Sequence, residues 1–265
     1  MASKSSRLRP GSSWFARGMT AFGFLLLYIP LVTLMVYSFL TQATGGLEPR
    51  QWTLEWYRLL WNNTEVLAAL EMSLYVGFWS TLGATVLGTS AALALTRARF
   101  PGRQVFDVFT YIPLIMPEIV LGIAMLIWFV MLRMTLGSLS IILAHITFCM
   151  SYVIIAVKAR LHGFDYSLEE AARDLGATPF QTFWRVTFPL IWPGVLSGAL
   201  MAFTLSFDDF LITFFTAGVG SDTLPLKIYS MIKFGVSPEI NALSTLIMLA
   251  TFVLVGLIYR PLKRG

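Results

Sequence analysis

The stretch Leu139-Ser-Ile-Ile-Leu-Ala-His-Ile-Thr-Phe-Cys-Met-Ser-Tyr-Val-Ile-Ile-Ala-Val157 runs for 19 residues without a charge. A helix of about 20 mostly apolar residues crosses the hydrocarbon core of a bilayer, so this stretch reads as a span. Outward from it, five more runs share its character: Met19–Leu40, Val66–Thr96, Val105–Leu132, Trp192–Thr216 and Ala242–Tyr259. The expectation is an all-α membrane protein with six transmembrane helices in a single domain covering residues 1–265. Glycine, proline or acids interrupt the second, third and fifth runs, which blurs their ends. The first run exceeds the 7–15 residue core of a secretory signal, and no small-x-small cleavage site follows Phe39. It reads as an uncleaved span.

Composition agrees. Hydrophobic residues make up 57% of the chain and charged residues 12%, whereas soluble domains carry about a quarter charged. So much apolar surface calls for lipid as the main solvent. A net charge of +5 raises the question of nucleic acid, and the positions of the charges answer it. Fourteen of the 19 lysines and arginines fall on one side of the spans: Lys4, Arg7, Arg9, Arg17, Arg97, Arg99, Arg103, Lys158, Arg160, Arg173, Arg185, Arg260, Lys263 and Arg264. The other five, Arg50, Arg58, Arg133, Lys227 and Lys233, fall opposite. Positive charge concentrates in short cytoplasmic loops, which places both termini in the cytoplasm. Basicity here reflects membrane topology, and nucleic acid is not an expected partner. The single cysteine, Cys149, excludes a disulfide within the chain.

The cytoplasmic loop at about 159–189 carries the most information. Ser167-Leu-Glu-Glu170 has the spelling of a capping box. Leu168, Ala171, Ala172 and Leu175 then share one small apolar face, and Gly176 is placed to end the helix in a left-handed conformation. Thr178 followed by Pro179 opens a second short helix. A helix of two turns is not stable alone in water, so the apolar face needs a support or a partner. Glu170-Ala-Ala172, Gly176 and Val186-Thr-Phe-Pro189, at these intervals, resemble the EAA loop of binding-protein-dependent ABC importer permeases. Val and Phe stand where that family usually has Ile and Leu. The resemblance implies the type I importer permease fold and a coupling role for Glu170, Ala171, Ala172 and Gly176, docked into a groove on a cytoplasmic ATPase. No Gly-x-x-x-x-Gly-Lys-Ser/Thr loop occurs in this chain. ATP and Mg are therefore expected on that separate ATPase, with no cofactor here.

Acids inside spans are costly, about 2.5–3.5 kcal/mol each on insertion scales. Leu205-Ser-Phe-Asp208-Asp209 puts a carboxylate pair midway along the fifth run, and Pro117-Glu118 puts another acid beside helix breakers in the third. Two readings stand. A partner subunit supplies cations or the acids stay protonated, or Asp208, Asp209 and Glu118 line a path for a cationic solute. Neighbouring helical residues point about 100° apart, so one aspartate can face the path while the other meets a helix neighbour. Ser206 can add a hydroxyl or bond its own helix. Trp52, Trp56, Tyr57 and Trp61 mark an interfacial helix on the outer side, and Trp56 is the aromatic candidate for cation–π contact with substrate.

More of the chain resembles the spermidine/putrescine permeases, and the second of their two permease subunits in particular. The matching segments are His145–Cys149, Ala202–Asp209, Leu224–Ser230 and Val236–Ala242. That resemblance implies a polyamine importer of the bacterial inner membrane working by alternating access. Its implied partners are a sister permease in a heterodimer, two ATPase subunits and a periplasmic polyamine-binding protein. It also implies that Glu118, Asp208, Asp209 and Trp56 help pass the amine. Glu118 stands where relatives can carry aspartate. An ABC permease for another amine or an amino-acid or opine-like solute is the near alternative, and a proton-coupled secondary transporter the distant one; the docking loop and the lack of repeats oppose the latter. His145 has no second ligand at metal spacing and reads as a packed, hydrogen-bonded residue. Gly194 and Gly198 form a Gly-x-x-x-Gly pair suited to close helix packing. No catalytic constellation is present, so the chain is not expected to be an enzyme.

Overall fold

The computed structural model describes residues 12–41, 51–234 and 238–262. Lys4, Arg7, Arg9, Arg50, Val236, Ser237, Lys263 and Arg264 lie outside the described residues. Every regular element among these residues is helical: α1 (Ser12–Ser38), α2 (Glu55–Asn62), α3 (Thr64–Arg97), α4 (Arg103–Ile115), α5 (Glu118–Met131) and α6 (Ser138–Leu161). Then come α7 (Ser167–Asp174), α8 (Pro179–Thr182), a π-helical turn (Phe183–Thr187), α9 (Phe188–Asp208), α10 (Leu211–Thr216), α11 (Leu224–Phe234) and α12 (Glu239–Leu262).

α1, α3, α6 and the continuous rod Pro179–Asp208 are each long and apolar enough to cross a membrane. α4 and α5 qualify only as a pair, bent by 112°. The third run is thus no straight span. Pro117 disfavours the helical region for the residue before it, and Met116 is extended at φ −69°, ψ 141°. The fifth run also departs from expectation. Its helix does not carry the two aspartates midway but ends at Asp208, with Asp209 extended at φ −66°, ψ 130°. α12 is apolar over Glu239–Val253.

The chain groups into two compact units, residues 1–64 with 231–265, and residues 65–230. In the first, α12 packs against α1 and α2. After α1 the chain forms an antiparallel bridge between Leu40 and Trp52, with Thr41 N–H donating to Gln51 O at 2.9 Å and Thr53 N–H to Phe39 O at 2.8 Å. α1 is exposed along most of its length, with Trp14, Phe22 and Leu27 open, a surface suited to lipid.

In the second unit α6 is the central helix. Its Ala144, Phe148, Cys149, Val153 and Val157 are buried, and α4, α5, α9 and α10 pack around it. Gly194 and Gly198 face it closely: a Cβ at Gly198 would lie 3.0 Å from Val153 Cα, and one at Gly194 2.8 Å from Arg160 Cβ. Lipid gives helices no hydrophobic reason to associate, so close contact at small residues holds such pairs.

Candidate functional site

The break after α9 separates the two aspartates. Asp209 is 8% exposed, and its carboxylate accepts from Ile212 N–H at 3.3 Å and Thr213 N–H at 2.8 Å. It caps α10, satisfying N–H groups that a helix start leaves orphaned. The Thr213 hydroxyl donates to the same carboxylate at 2.9 Å. His145, fully buried on α6, holds Nε2 3.2 Å from Asp209 Oδ2 and 3.1 Å from Thr213 Oγ1, and Nδ1 2.7 Å from Ser206 Oγ. A carboxylate only accepts, so Nε2 carries a proton on the Asp209 side, and Nδ1 shares a hydrogen bond with the Ser206 hydroxyl. Ser206 is 4% exposed. Ser206 and Asp209 therefore face the interior and are engaged with His145, which is packed and hydrogen-bonded as its sequence setting implies.

Asp208 is exposed. So is Glu118, the first residue of α5 beyond the Met116–Pro117 kink. α5 and α10 pack on each other, and a Cβ at Gly122 would meet Phe215 Cδ2 at 2.8 Å and Leu211 O at 3.3 Å. Two exposed carboxylates thus sit where two neighbouring helices are interrupted. Among the described residues neither has an ion-pair partner. Lys158 and Lys227 have partners of their own: Lys158 pairs with Asp107 and lies 5.8 Å from the Tyr111 ring centroid, and Lys227 pairs with Glu65.

Trp56 belongs to the first unit, on α2, the expected interfacial helix. Its indole N–H donates to Leu40 O at 2.9 Å and its ring is half-buried. Tyr57 beside it shares a 2.7 Å hydrogen bond with Ser38. Trp52 and Trp61 are 75% and 78% exposed, which leaves them free to anchor at a membrane surface.

The loop after α6 holds the two short helices its sequence specifies. Gly176 takes φ +88°, and Thr178 forms a reciprocal capping box with Gln181 around Pro179. The first cap is different from the one the spelling implies. Ser167 lies inside α7 without a capping bond, and Asp165 Oδ1 accepts the Ser167 N–H at 3.0 Å. Hydrogen bonding by Ser167 holds the Asp165 carboxyl below its usual range. Glu170, Ala171 and Gly176 are exposed, Ala172 is half-buried, and Leu168 and Leu175 stand 46% and 90% exposed. The small apolar face is open.

Glu169 escaped the sequence reading. It is 6% exposed and bonded to Arg97 and Thr187. Only the Glu169–Glu170 pairing hinted at it, since adjacent helical residues face different ways.

A family model described as "Binding-protein-dependent transport system inner membrane component" matches residues 84–264. The spermidine/putrescine transport system permease protein PotC of Escherichia coli (strain K12) is 41% identical over 237 residues, 89% of each chain. The putrescine transport system permease protein PotI of the same strain is 41% identical over 237 residues, 85% of this chain and 83% of that one. A solved bacterial ABC transporter involved in the import of the acidic polysaccharide alginate matches with a TM-score of 0.73 at 17% identity, covering 100% of this chain and 98% of its counterpart. That likeness is one of fold, the all-helical membrane permease fold of ABC importers.

Proposed function

The chain belongs to the family of binding-protein-dependent transport system inner membrane components, and on that premise we propose that it passes polyamines, spermidine or putrescine, from periplasm to cytoplasm. It is a multi-pass permease subunit of the inner membrane, a transport component and not an enzyme. One observation carries the substrate class beyond the likeness to PotC and PotI. Asp208 and Glu118 are exposed acids at helix breaks, without cation partners among the described residues. A polyamine is a string of ammonium groups, and carboxylates there replace the water it sheds. Breaks at membrane depth are tolerated where they line a cavity, and interrupted helices are a recurring way to build transport sites.

In this reading residues 1–265 form one permease domain with six spans: α1, α3, the bent α4–α5 pair, α6, α9 with α10, and α12. Both termini are cytoplasmic. The Arg97–Glu169 pair supports placing the end of α3 and the coupling loop on one side. Asp208 and Glu118 line the path, Trp56 offers an aromatic face at the outer end, and Asp209 and Ser206 hold the break open through His145. Glu170, Ala171, Ala172 and Gly176, with the open Leu168 and Leu175, dock on the ATPase. A sister permease completes the path, two ATPase subunits bind ATP and Mg, and a periplasmic binding protein delivers the amine. Closure of the ATPases draws the coupling loops together and opens the path outward; hydrolysis returns it inward.

The test is uptake and ATP hydrolysis by the complex reconstituted in vesicles. Polyamine-loaded binding protein is expected to stimulate hydrolysis, and Asp208→Asn with Glu118→Gln to abolish uptake while the complex still assembles. Stimulation by another amine or an amino acid, with none by polyamines, would overturn the substrate class and leave the permease assignment standing.

A further inference from the structure

Glu169 is a buried charge without a part in the path or on the open face of α7. Its Oε1 accepts from Arg97 Nη2 at 2.8 Å and its Oε2 from Arg97 Nη1 at 3.3 Å. The Thr187 hydroxyl donates to the same carboxylate. Arg97 is the last residue of α3, Glu169 lies in the first turn of α7, and Thr187 immediately precedes α9. One carboxylate therefore gathers three segments. The Arg97 guanidinium also lies 5.3 Å from the Phe164 ring centroid and 5.7 Å from that of Tyr166, clasping the linker between α6 and α7.

The chemistry favours a fixed geometry. Arginine and carboxylate meet in a two-pronged fork that sets direction as well as distance. The acid sits at a helix start and the cation at a helix end, where each complements the local dipole. A buried ion pair is weak evidence for stability, because apolar residues fill such a place at lower cost. Its geometry is better suited to fixing register. α7 has 8 residues and is too short to transmit force by itself, and glycines flank it at Gly163 and Gly176. Without a tie, displacement of α7 would be absorbed by those turns.

We propose that Glu169 is a positioning residue that transmits movement of the coupling helix to the spans, with Arg97 and Thr187 as its two anchor points. The proposal rests on reading α7 as the ATPase-docking element. Through Arg97 the pull reaches α3. Through Thr187 it reaches α9, a 21-residue helix of roughly 30 Å at 1.5 Å per residue, whose far end is Asp208. The lock joins the cytoplasmic surface to the interruption in the path by one continuous helix.

Glu169→Gln in the full reconstituted complex tests this, read by three measurements: ATPase subunits retained on purification, stimulation of hydrolysis by polyamine-loaded binding protein, and uptake per ATP hydrolysed. Retained ATPases with stimulation lost, and uptake per ATP down in the roughly tenfold range of a single coupling contact, is the expected result. Arg97→Lys keeps the charge but not the fork and falls less. The swap Glu169→Arg with Arg97→Glu restores part of the loss. Wild-type uptake per ATP in Glu169→Gln would overturn the proposal, as would a loss explained wholly by less protein in the membrane. Thr187→Val removes only a hydroxyl donor and covers a Glu169→Gln chain that does not fold; ATPases retained with uptake per ATP reduced is expected, and wild-type coupling there is equally fatal. Failure of the wild-type chain itself to retain the ATPase would instead sink the docking reading, and the proposal with it.

Discussion

Two adjacent aspartates end up in opposite surroundings because one of them finds partners elsewhere in the chain. Asp209 is held by His145 on another helix and by two amides of α10, whereas Asp208 has neither burial nor an ion pair among the described residues. Their spelling shows that they diverge, since consecutive helical residues cannot face the same way. It does not show which turns inward, because His145 lies 64 positions upstream of Asp209 and no local pattern links them. The same holds for Glu169 and Glu170, distinguished by an arginine 72 positions away. The two aspartates should separate experimentally. Asp209→Asn leaves buried donors poorly matched and is expected to cost about 3 kcal/mol, seen as a lower melting temperature of the purified complex. Asp208→Asn should melt within about 0.5 kcal/mol of wild type, as exposed substitutions do, and lose uptake. Equal melting losses at the two positions would contradict the division of roles.

At the scale of elements, apolar runs were legible as helices because a bilayer demands internally satisfied backbone over a set length. The interruptions were legible only in part. Pro117 announces the first, since Met116 has to leave the helical region and does so at ψ 141°. The second is announced more faintly: Asp209 is a residue type that caps helix starts, but Phe207, Phe210, Leu211 and Phe214 continue an apolar run through the break, and the His145 that holds Asp209 from another helix is remote in sequence. Tight helix contacts were legible at Gly194 and Gly198, and their position against α6 makes a contrast testable. Gly198→Ala would push a methyl toward Val153 Cα at 3.0 Å, backbone that cannot swing aside, so about 1–3 kcal/mol of destabilisation is expected. At Gly23 in α1 nothing lies within 4 Å of a new Cβ. Gly23→Ala should therefore be neutral, or stabilising by up to about 1 kcal/mol through helix propensity. Thermal unfolding of the detergent-solubilised complex compares them, and equal effects would mean that α6 and α9 are not held by close backbone approach.

For the whole molecule, lysine and arginine placement speaks to sidedness, but a path that opens alternately to two sides is a statement about motion. Cys149 is the chain's one cysteine, is fully buried and sits with Sγ 3.5 Å from Ala202 O, so it serves as a silent background for a thiol introduced elsewhere. Glu118→Cys places a thiol at the exposed start of α5, beside the kink. If the acids line an alternating path, a membrane-impermeant cationic thiol reagent applied from the periplasmic side should label that position when a non-hydrolysable nucleotide holds the ATPases closed. Labelling should fall at least severalfold without nucleotide, when the path opens to the cytoplasm. Because the coupling lock would carry closure to α3 and α9, adding Glu169→Gln should flatten the difference between the two states while leaving the thiol reactive. Equal labelling in both states of the otherwise wild-type chain would place Glu118 on a static surface and remove it from the path.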